Sequence, residues 1–178
     1  MLPKAQELTA DLSPEQFNRR PAPGMWSVGE CLAHLNITNE LYADYIAKAI
    51  EKGRADHITG EPPFRYALWQ RLFVWLLAPP ARVRFKAPAG FMPPSSLDST
   101  NVLATWRESH LYLLTLAEAS RGLDLVKLRV PSPVNAKLRL SLGMTFKTII
   151  AHDRRHLWQA ERVKHRIASE SHQSLPPR

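Results

Sequence analysis

The sequence predicts an all-α fold, a four-helix bundle. Three observations support this prediction. A Ser is followed three residues later by Gln or Glu at two places, Ser13 and Ser27, which is the signature of a helix start. Apolar residues recur at spacings of three and four in long segments, and no segment of any length alternates as a strand does. Proline-rich stretches separate these segments. We expect one domain over residues 1–168 and a frayed tail over 169–178.

The first three helices follow from these signals. Residues 1–12 are expected to form a short helical lead-in, and Ser13 begins a second short helix that ends before Pro21. Ser27 begins a third helix whose apolar residues continue to about Gly53, a residue type that commonly terminates helices.

The next segment, from Phe64 to Ala78, is predicted to be a helix that is apolar almost all round, which favours a place in the core or in a dimer interface. A third interpretation is that its tryptophans and the basic groups bind a membrane surface. The residues concerned are Trp69, Leu72, Phe73, Trp75 and Leu76. The proline-rich loop (residues 79–98) that follows is long enough to suggest a functional role, such as edging a pocket.

Asp98 or Ser99 can cap the following helix, which is expected to end near Ser120. Its apolar stripe places His110 on the inner face, where it is either a hydrogen-bonded core residue or a site residue. The stripe consists of Leu103, Trp106, His110, Leu113 and Ala117.

The last helix is expected to run from near Ser141 to about Ile167, after a proline-containing connection over residues 123–136. It carries His152 and His156, which are four residues apart and therefore neighbours on a helix, with Cβ atoms about 5–6 Å apart. Two imidazoles at this separation can bind one metal ion. The spacing of three and four puts both on the buried face, together with Ile149, Ala160 and Val163.

Two segments of the chain carry a resemblance to a known family. The residues are Trp26, Ser27, Glu30, Ala33, His34 and Leu35 in one segment and His152, His156 and Gln159 in the other. In this order and spacing they resemble the DinB/YfiT-like superfamily. The resemblance implies a four-helix bundle in which His34, His152 and His156 are the metal triad. It also implies a metal-dependent hydrolase or a low-molecular-weight-thiol S-transferase.

The chemistry of three imidazoles agrees with such a role. They carry no charge to offset a divalent ion, and three protein ligands leave a coordination position for water or substrate. We expect zinc or nickel, with iron or manganese as alternatives, and a low-molecular-weight thiol as a further cofactor. The alternative function is a non-catalytic bundle or dimerisation module that the metal stabilises.

Besides His110, four neighbouring residues are candidates for supporting roles. Glu30 is interpreted first as a helix cap and second as a fourth ligand or a carboxylate behind a ligand. Asp153 is interpreted first as a member of an exposed ion pair with Arg154 or a neighbouring lysine, and second as an acceptor for a ligating imidazole. Gln159 either orients a ligand or joins two helices, and Arg155 is expected at the rim of the site.

Composition limits the remaining possibilities. The single cysteine, Cys31, excludes an internal disulfide, suits a cytoplasmic location and is expected to be a buried, inert thiol. The longest strongly apolar run has seven residues, far short of the ~20 that span a bilayer. The net charge of +8 is scattered and accompanies no nucleic-acid-binding motif. We expect a small-molecule substrate and a homodimer.

Overall fold

The computed structural model describes residues 1–83 and 87–173, and in these ranges it confirms the predicted all-α fold. The elements are α1 (Leu2–Thr9), α2 (Pro14–Asn18), α3 (Val28–Ala55), α4 (Leu68–Leu77), a 3₁₀ turn (Ala89–Phe91), α5 (Ser99–Ala119), β1 (Arg129–Ser132), β2 (Asn135–Ser141) and α6 (Leu142–Gln173). No helix of the described ranges has the length and apolar character needed to cross a bilayer.

Helix α3 is the centre of the bundle and packs against both α5 and α6. It runs in the same direction as α5. The Asn36 side chain, near the start of α3, donates to the Val102 carbonyl near the start of α5 at 2.9 Å. Near the other end of both helices, Arg54 donates to the Ala119 carbonyl at 2.7 Å. The 43 residues that join the two helices, α4 among them, return the chain to its starting end.

Helix α4 lies against α6 and runs in the same direction as that helix. Gln70, in the first turn of α4, accepts hydrogen bonds from the amide and hydroxyl of Ser141, at 2.9 and 3.0 Å, just before α6 begins. Leu77, at the end of α4, offers its carbonyl to Arg155, two-fifths of the way along α6. The four helices α3–α6 therefore alternate in direction along the chain, in spite of their long connections.

A polar layer divides the apolar core into two clusters. One cluster joins α1 and α2 to the starts of α3 and α5 and the second half of α6. The other joins the ends of α3 and α5 to the sheet and the start of α6. Between them lie the buried side chains of Asn36, Thr38, Asn39, His110, Asp153 and His156. Buried polar groups need partners, so this layer is where the fold concentrates its specific hydrogen bonds.

The predicted helix starts are confirmed. Ser13 and Ser27 both form complete capping boxes, with Gln16 and Glu30 as the reciprocal partners. Asp98, rather than Ser99, caps α5 by accepting from the backbone of the third residue of that helix at 2.8 Å.

Two helix ends differ from the prediction. Helix α3 passes Gly53 and ends at Ala55, because this glycine serves packing and not termination: a Cβ at position 53 would lie 2.7 Å from a methyl of Leu128. Helix α6 continues past Ile167 to Gln173, into the segment that was predicted to fray. The last part of that segment, residues 174–178, lies outside the described residues.

The connection over residues 123–136 was predicted without strands, and this was wrong for its second half. Strands β1 and β2 form an antiparallel pair with an irregular register after Pro131. Val130 and Leu140 are paired and are each 1% exposed. The strands are short and contain proline, so the alternation of buried and exposed residues is too brief to predict from the sequence.

The predicted burial of the apolar helix was also wrong. The helix begins at Leu68, later than Phe64, and four of its large apolar side chains face outward. Leu68 is 75% exposed and Trp69, Leu72 and Trp75 are about half exposed, whereas the polar Gln70 is buried. The predicted place of this helix in a dimer interface stays a prediction.

Replacing Gly29 with alanine is expected to lower the free energy of unfolding by about 1–2 kcal/mol. A Cβ at position 29 would lie 2.5 Å from the ring of Phe17, which is 1% exposed, so the packing of α2 on α3 must shift. Overpacking costs about 1–3 kcal/mol and the better helix propensity of alanine returns up to about 1 kcal/mol. Urea unfolding measures the difference. Gly90→Ala, with nothing within 4 Å, is the matched control, and equal stability of the two variants would contradict this packing.

Candidate metal centre

Helix α6 brings together the two histidines that the sequence singled out. His152 and His156 lie one turn apart, with ring centroids separated by 4.6 Å. Along the same face, Ile149, Ala160 and Val163 are buried, which confirms the predicted stripe. The pair faces the polar layer of the bundle, where His156 is buried and His152 is partly exposed.

His34 approaches this pair from α3. Its ring centroid lies 5.2 Å from that of His152 and 4.7 Å from that of His156. Each of the three residues offers one ring nitrogen, and these three nitrogens lie within 4.8 Å of one another. The group can therefore hold a metal ion. In the described part of the chain no Cys, Asp or Glu joins the three histidines in such a group.

The loop before α5 fixes the orientation of His34. The Nδ1 atom of His34 lies 2.8 Å from the carbonyl oxygen of Phe91, in the 3₁₀ turn. Because a carbonyl can only accept, Nδ1 carries the proton and donates it. The Nε2 atom then has its lone pair free. This is the arrangement in which metal-binding histidines are usually held by a backbone carbonyl.

The ring of His156 supplies the strongest sign that a ligand belongs here. Its Nδ1 atom is fully buried and has no hydrogen-bond partner among the described residues. A buried polar atom without a partner costs roughly 1–3 kcal/mol. A metal ion would satisfy this nitrogen, and so the residues present fit the ion that their geometry suggests.

The protonation of the three rings also suits metal binding. Burial lowers the pKa of His34, and burial together with the charges of His34 and Arg155 lowers the pKa of His152 to about 3. The pKa of His156 is lowered well below its usual value by burial and by the neighbouring rings, against a smaller opposing hydrogen-bond effect from Gln159. All three imidazoles are therefore neutral at neutral pH, which is the form that binds metals.

Trp26, which directly precedes the cap of α3, lies over the histidines. Its ring centroid is 4.7 Å from that of His34 and 5.6 Å from that of His156, nearly stacked on the latter. It limits the access of water to two of the three rings. Although Trp26 belongs to the sequence pattern, its position beside the site was not predicted, because the residue before a cap has no fixed direction.

Glu30 lies in the capping box, as the sequence favoured, and not among the histidines. Its carboxylate accepts from the Ser27 amide at 2.8 Å and from the Arg20 side chain at 2.9 and 3.0 Å. Burial raises the pKa of Glu30, but the hydrogen bonds from Arg20 and Ser27 and the charge of Arg20 lower it on balance. Arg20 was not predicted because nothing in the sequence indicates that the loop after α2 folds back onto α3.

Asp153 does not form the exposed ion pair with Arg154 that the sequence favoured. It is completely buried, and its carboxylate contacts His110 Nε2 at 3.1 Å and Asn39 Nδ2 at 3.3 Å. His110 Nδ1 donates to the Trp106 carbonyl at 2.8 Å. These contacts join α3, α5 and α6 beside His152. The sequence prediction failed because it treated Asp153 as surface, whereas α6 is buried on more than one face.

Arg155 lies under the proline-rich loop rather than at an open rim. Its side chain is 8% exposed and donates to the carbonyls of Leu77 and Val83. It thus joins α6 to the end of α4 and to the loop that carries Phe91. Burial lowers the pKa of its guanidinium.

Cys31 is completely buried, and burial raises the pKa of its thiol. The predicted burial of this thiol is confirmed, and burial disfavours the thiolate, which is the reactive form.

A cavity of about 400 Å³ lies further along α6, and none of the three histidines lines it. It is lined by Met25, Trp158, Gln159, Arg162, Val163, His165 and Arg166. It begins at Gln159, one turn beyond His156, and its charged wall is basic.

Comparisons with known proteins agree with this geometry. A family model described as the DinB superfamily matches residues 3–160, which include all three histidines. Searches of curated proteins and of solved structures find no match.

Proposed function

The chain belongs to the DinB superfamily, and from this premise we propose that it is a metal-dependent enzyme, a hydrolase or a low-molecular-weight-thiol S-transferase. In this proposal His34, His152 and His156 bind one divalent ion, zinc or nickel in the first place. The observation that carries the proposal is the meeting of three neutral imidazoles, one of them with an orphaned buried nitrogen.

The partners of the nearby side chains favour an open coordination position. Glu30 is held by Ser27 and Arg20, and His110 is held by Asp153 and the Trp106 carbonyl. Neither is placed to complete the coordination of an ion at the three histidines. Three protein ligands and an open position are typical of catalytic sites, whereas structural sites have four.

The residues around the triad have separable roles in this proposal. A bound divalent ion supplies a Lewis acid that lowers the pKa of water or of a thiol. His34, held by Phe91, keeps one ligand in a fixed orientation. Trp26 covers two of the rings and restricts water. The basic wall of the neighbouring cavity, at Arg162 and Arg166, suits a substrate or thiol that carries negative charge.

Removal of the metal is expected to reduce activity by more than about 100-fold, with recovery when zinc or nickel is returned. Untagged protein is assayed with a low-molecular-weight thiol and an electrophilic substrate, and separately with ester and amide substrates. His57→Asn, at an exposed histidine in the loop after α3, is the control for unspecific metal effects. A protein that binds metal stoichiometrically but has no activity in either assay would support the alternative, a non-catalytic metal-stabilised bundle. Activity that survives chelation would contradict the proposal.

A further inference from the structure

The outward side of α4 carries four large exposed apolar side chains that the metal centre does not use. We define the α4 outer face as Leu68, Trp69, Leu72 and Trp75. Their exposed fractions are 75%, 49%, 55% and 53%. They lie on one side of the helix, since Leu72 is four residues after Leu68, three after Trp69 and three before Trp75. Contiguous exposed apolar side chains of this size mark interaction surfaces.

The exposure of this face is fixed by the packing of the opposite side. Gln70 is 2% exposed and accepts both hydrogen bonds from Ser141, and Leu77 is 7% exposed beneath Arg155. Rotation of α4 to bury its leucines and tryptophans would break these bonds and bring the buried amide into solvent. The packing of Gln70 and Leu77 therefore keeps the apolar side of α4 exposed to water. This exposure is unfavourable, and a partner that covered the apolar side chains would relieve it.

The chain segment that carries the face has charged side chains of one sign. Residues 64–97 contain five arginines and lysines and no aspartate or glutamate. Arg65, Arg71 and Arg82 belong to the described part of this segment and are all exposed. The Arg82 guanidinium lies 4.2 Å from the ring centre of Trp75 and donates to the Trp75 carbonyl at 3.1 Å. Positive charge thus lies directly beside the exposed indole.

We propose that the α4 outer face binds the surface of an anionic phospholipid bilayer. Leucine and tryptophan side chains would enter the boundary between headgroups and acyl chains, where tryptophan is enriched. The arginines would contact lipid phosphates, each contributing roughly 1 kcal/mol to binding. The helix lies on the membrane in this proposal and does not span it.

Two other partners fit the face less well. A second copy of the chain related by two-fold symmetry would bring the arginines of both α4 helices together, and like charges at close range repel. Single-stranded nucleic acid would match the charge, but it is bound by stacking of bases on aromatic rings, and Leu68 and Leu72 offer no such rings.

The test uses untagged full-length protein and vesicles of phosphatidylcholine, alone or with 30% phosphatidylglycerol. Sedimentation with the vesicles measures the bound fraction at low and high salt. We expect binding to the anionic vesicles, little binding to the neutral ones, and a loss of binding as salt screens the charges.

Matched variants locate the binding face. Leu72→Gln is expected to weaken binding by about tenfold, and Arg71→Glu by about 30-fold, since it changes the charge by two units. The controls are on α5: Leu114→Gln, at a residue that is 60% exposed, and Arg107→Glu, at an exposed arginine. Both controls are expected to bind within twofold of the wild type, and circular dichroism checks the fold of every variant.

Several results would overturn the proposal. Failure of the wild-type protein to bind anionic vesicles at low salt would overturn it. Equal losses in the α4 variants and their α5 controls would show binding by net charge and not by α4. If the α4 variants changed a dimer into a monomer, or lost binding to an RNA oligonucleotide, while vesicle binding was absent, the face would serve that other partner.

Discussion

Replacing His156 with alanine is expected to abolish stoichiometric binding of zinc or nickel by the purified protein. The variant loses one of three ligands, and His156 is the residue whose buried Nδ1 has no partner among the described residues. Mutation of a residue that only orients a ligand typically lowers metal affinity about 10–100-fold. Mutation of a ligand itself should therefore lower it by more than about 100-fold. His152→Ala is expected to behave in the same way.

His34→Ala separates the third ligand from the pair. The variant lacks the imidazole that the Phe91 carbonyl orients. Its affinity for the metal ion is expected to fall by at least the roughly 10–100-fold that the loss of an orienting residue causes. Elemental analysis of untagged protein measures its metal content, and calorimetric titration with metal measures the affinity. His165→Ala, on an exposed part of α6, should keep wild-type metal content. Wild-type metal content in all three triad variants would refute the assignment.

Asp153→Ala is expected to lower the free energy of unfolding by about 2–5 kcal/mol, because each buried polar group that loses its partner costs about 1–3 kcal/mol. Its carboxylate is completely buried, and the variant would leave His110 Nε2 and Asn39 Nδ2 without partners between three helices. Urea unfolding in the presence of a chelator measures the change without any contribution from bound metal.

Two further variants make this test specific. Asp153→Asn keeps the shape and can donate to His110 while it accepts from Asn39, so a loss of only about 1 kcal/mol is expected. Asp44→Ala, at an exposed position on α3, should change stability by less than about 0.5 kcal/mol. An Asp153→Ala protein as stable as the wild type would show that the buried contacts contribute nothing.

The parts of the fold that sequence predicts best are those with a local physical cause. The capping boxes at Ser13 and Ser27 involve residues three apart, and the pair His152 and His156 needs only helical geometry. His34 could be added to the pair only through the resemblance of the chain to a family. Its meeting with α6 depends on tertiary packing that no local spacing specifies.

Helix α4 shows why the remainder could not be predicted. Apolar residues normally identify the buried side of a helix, yet here the buried side carries Gln70. The amide is buried because Ser141, 71 residues later, satisfies it with two donors. Asp153 follows the same rule, since its partners Asn39 and His110 lie on other helices. A polar side chain can be buried only when distant partners exist, and sequence alone does not locate them.

The origin of the three ligands in distant parts of the chain has a consequence for biosynthesis. His34 and His152 are 118 residues apart in sequence. At translation rates of about 5–20 residues per second, His34 leaves the peptidyl-transferase centre roughly 6–24 s before its first partner on α6. During that interval a nascent chain has only one of the three proposed ligands. On this proposal metal would be acquired only after translation of α6, and the ion would then close a loop between residues 118 apart.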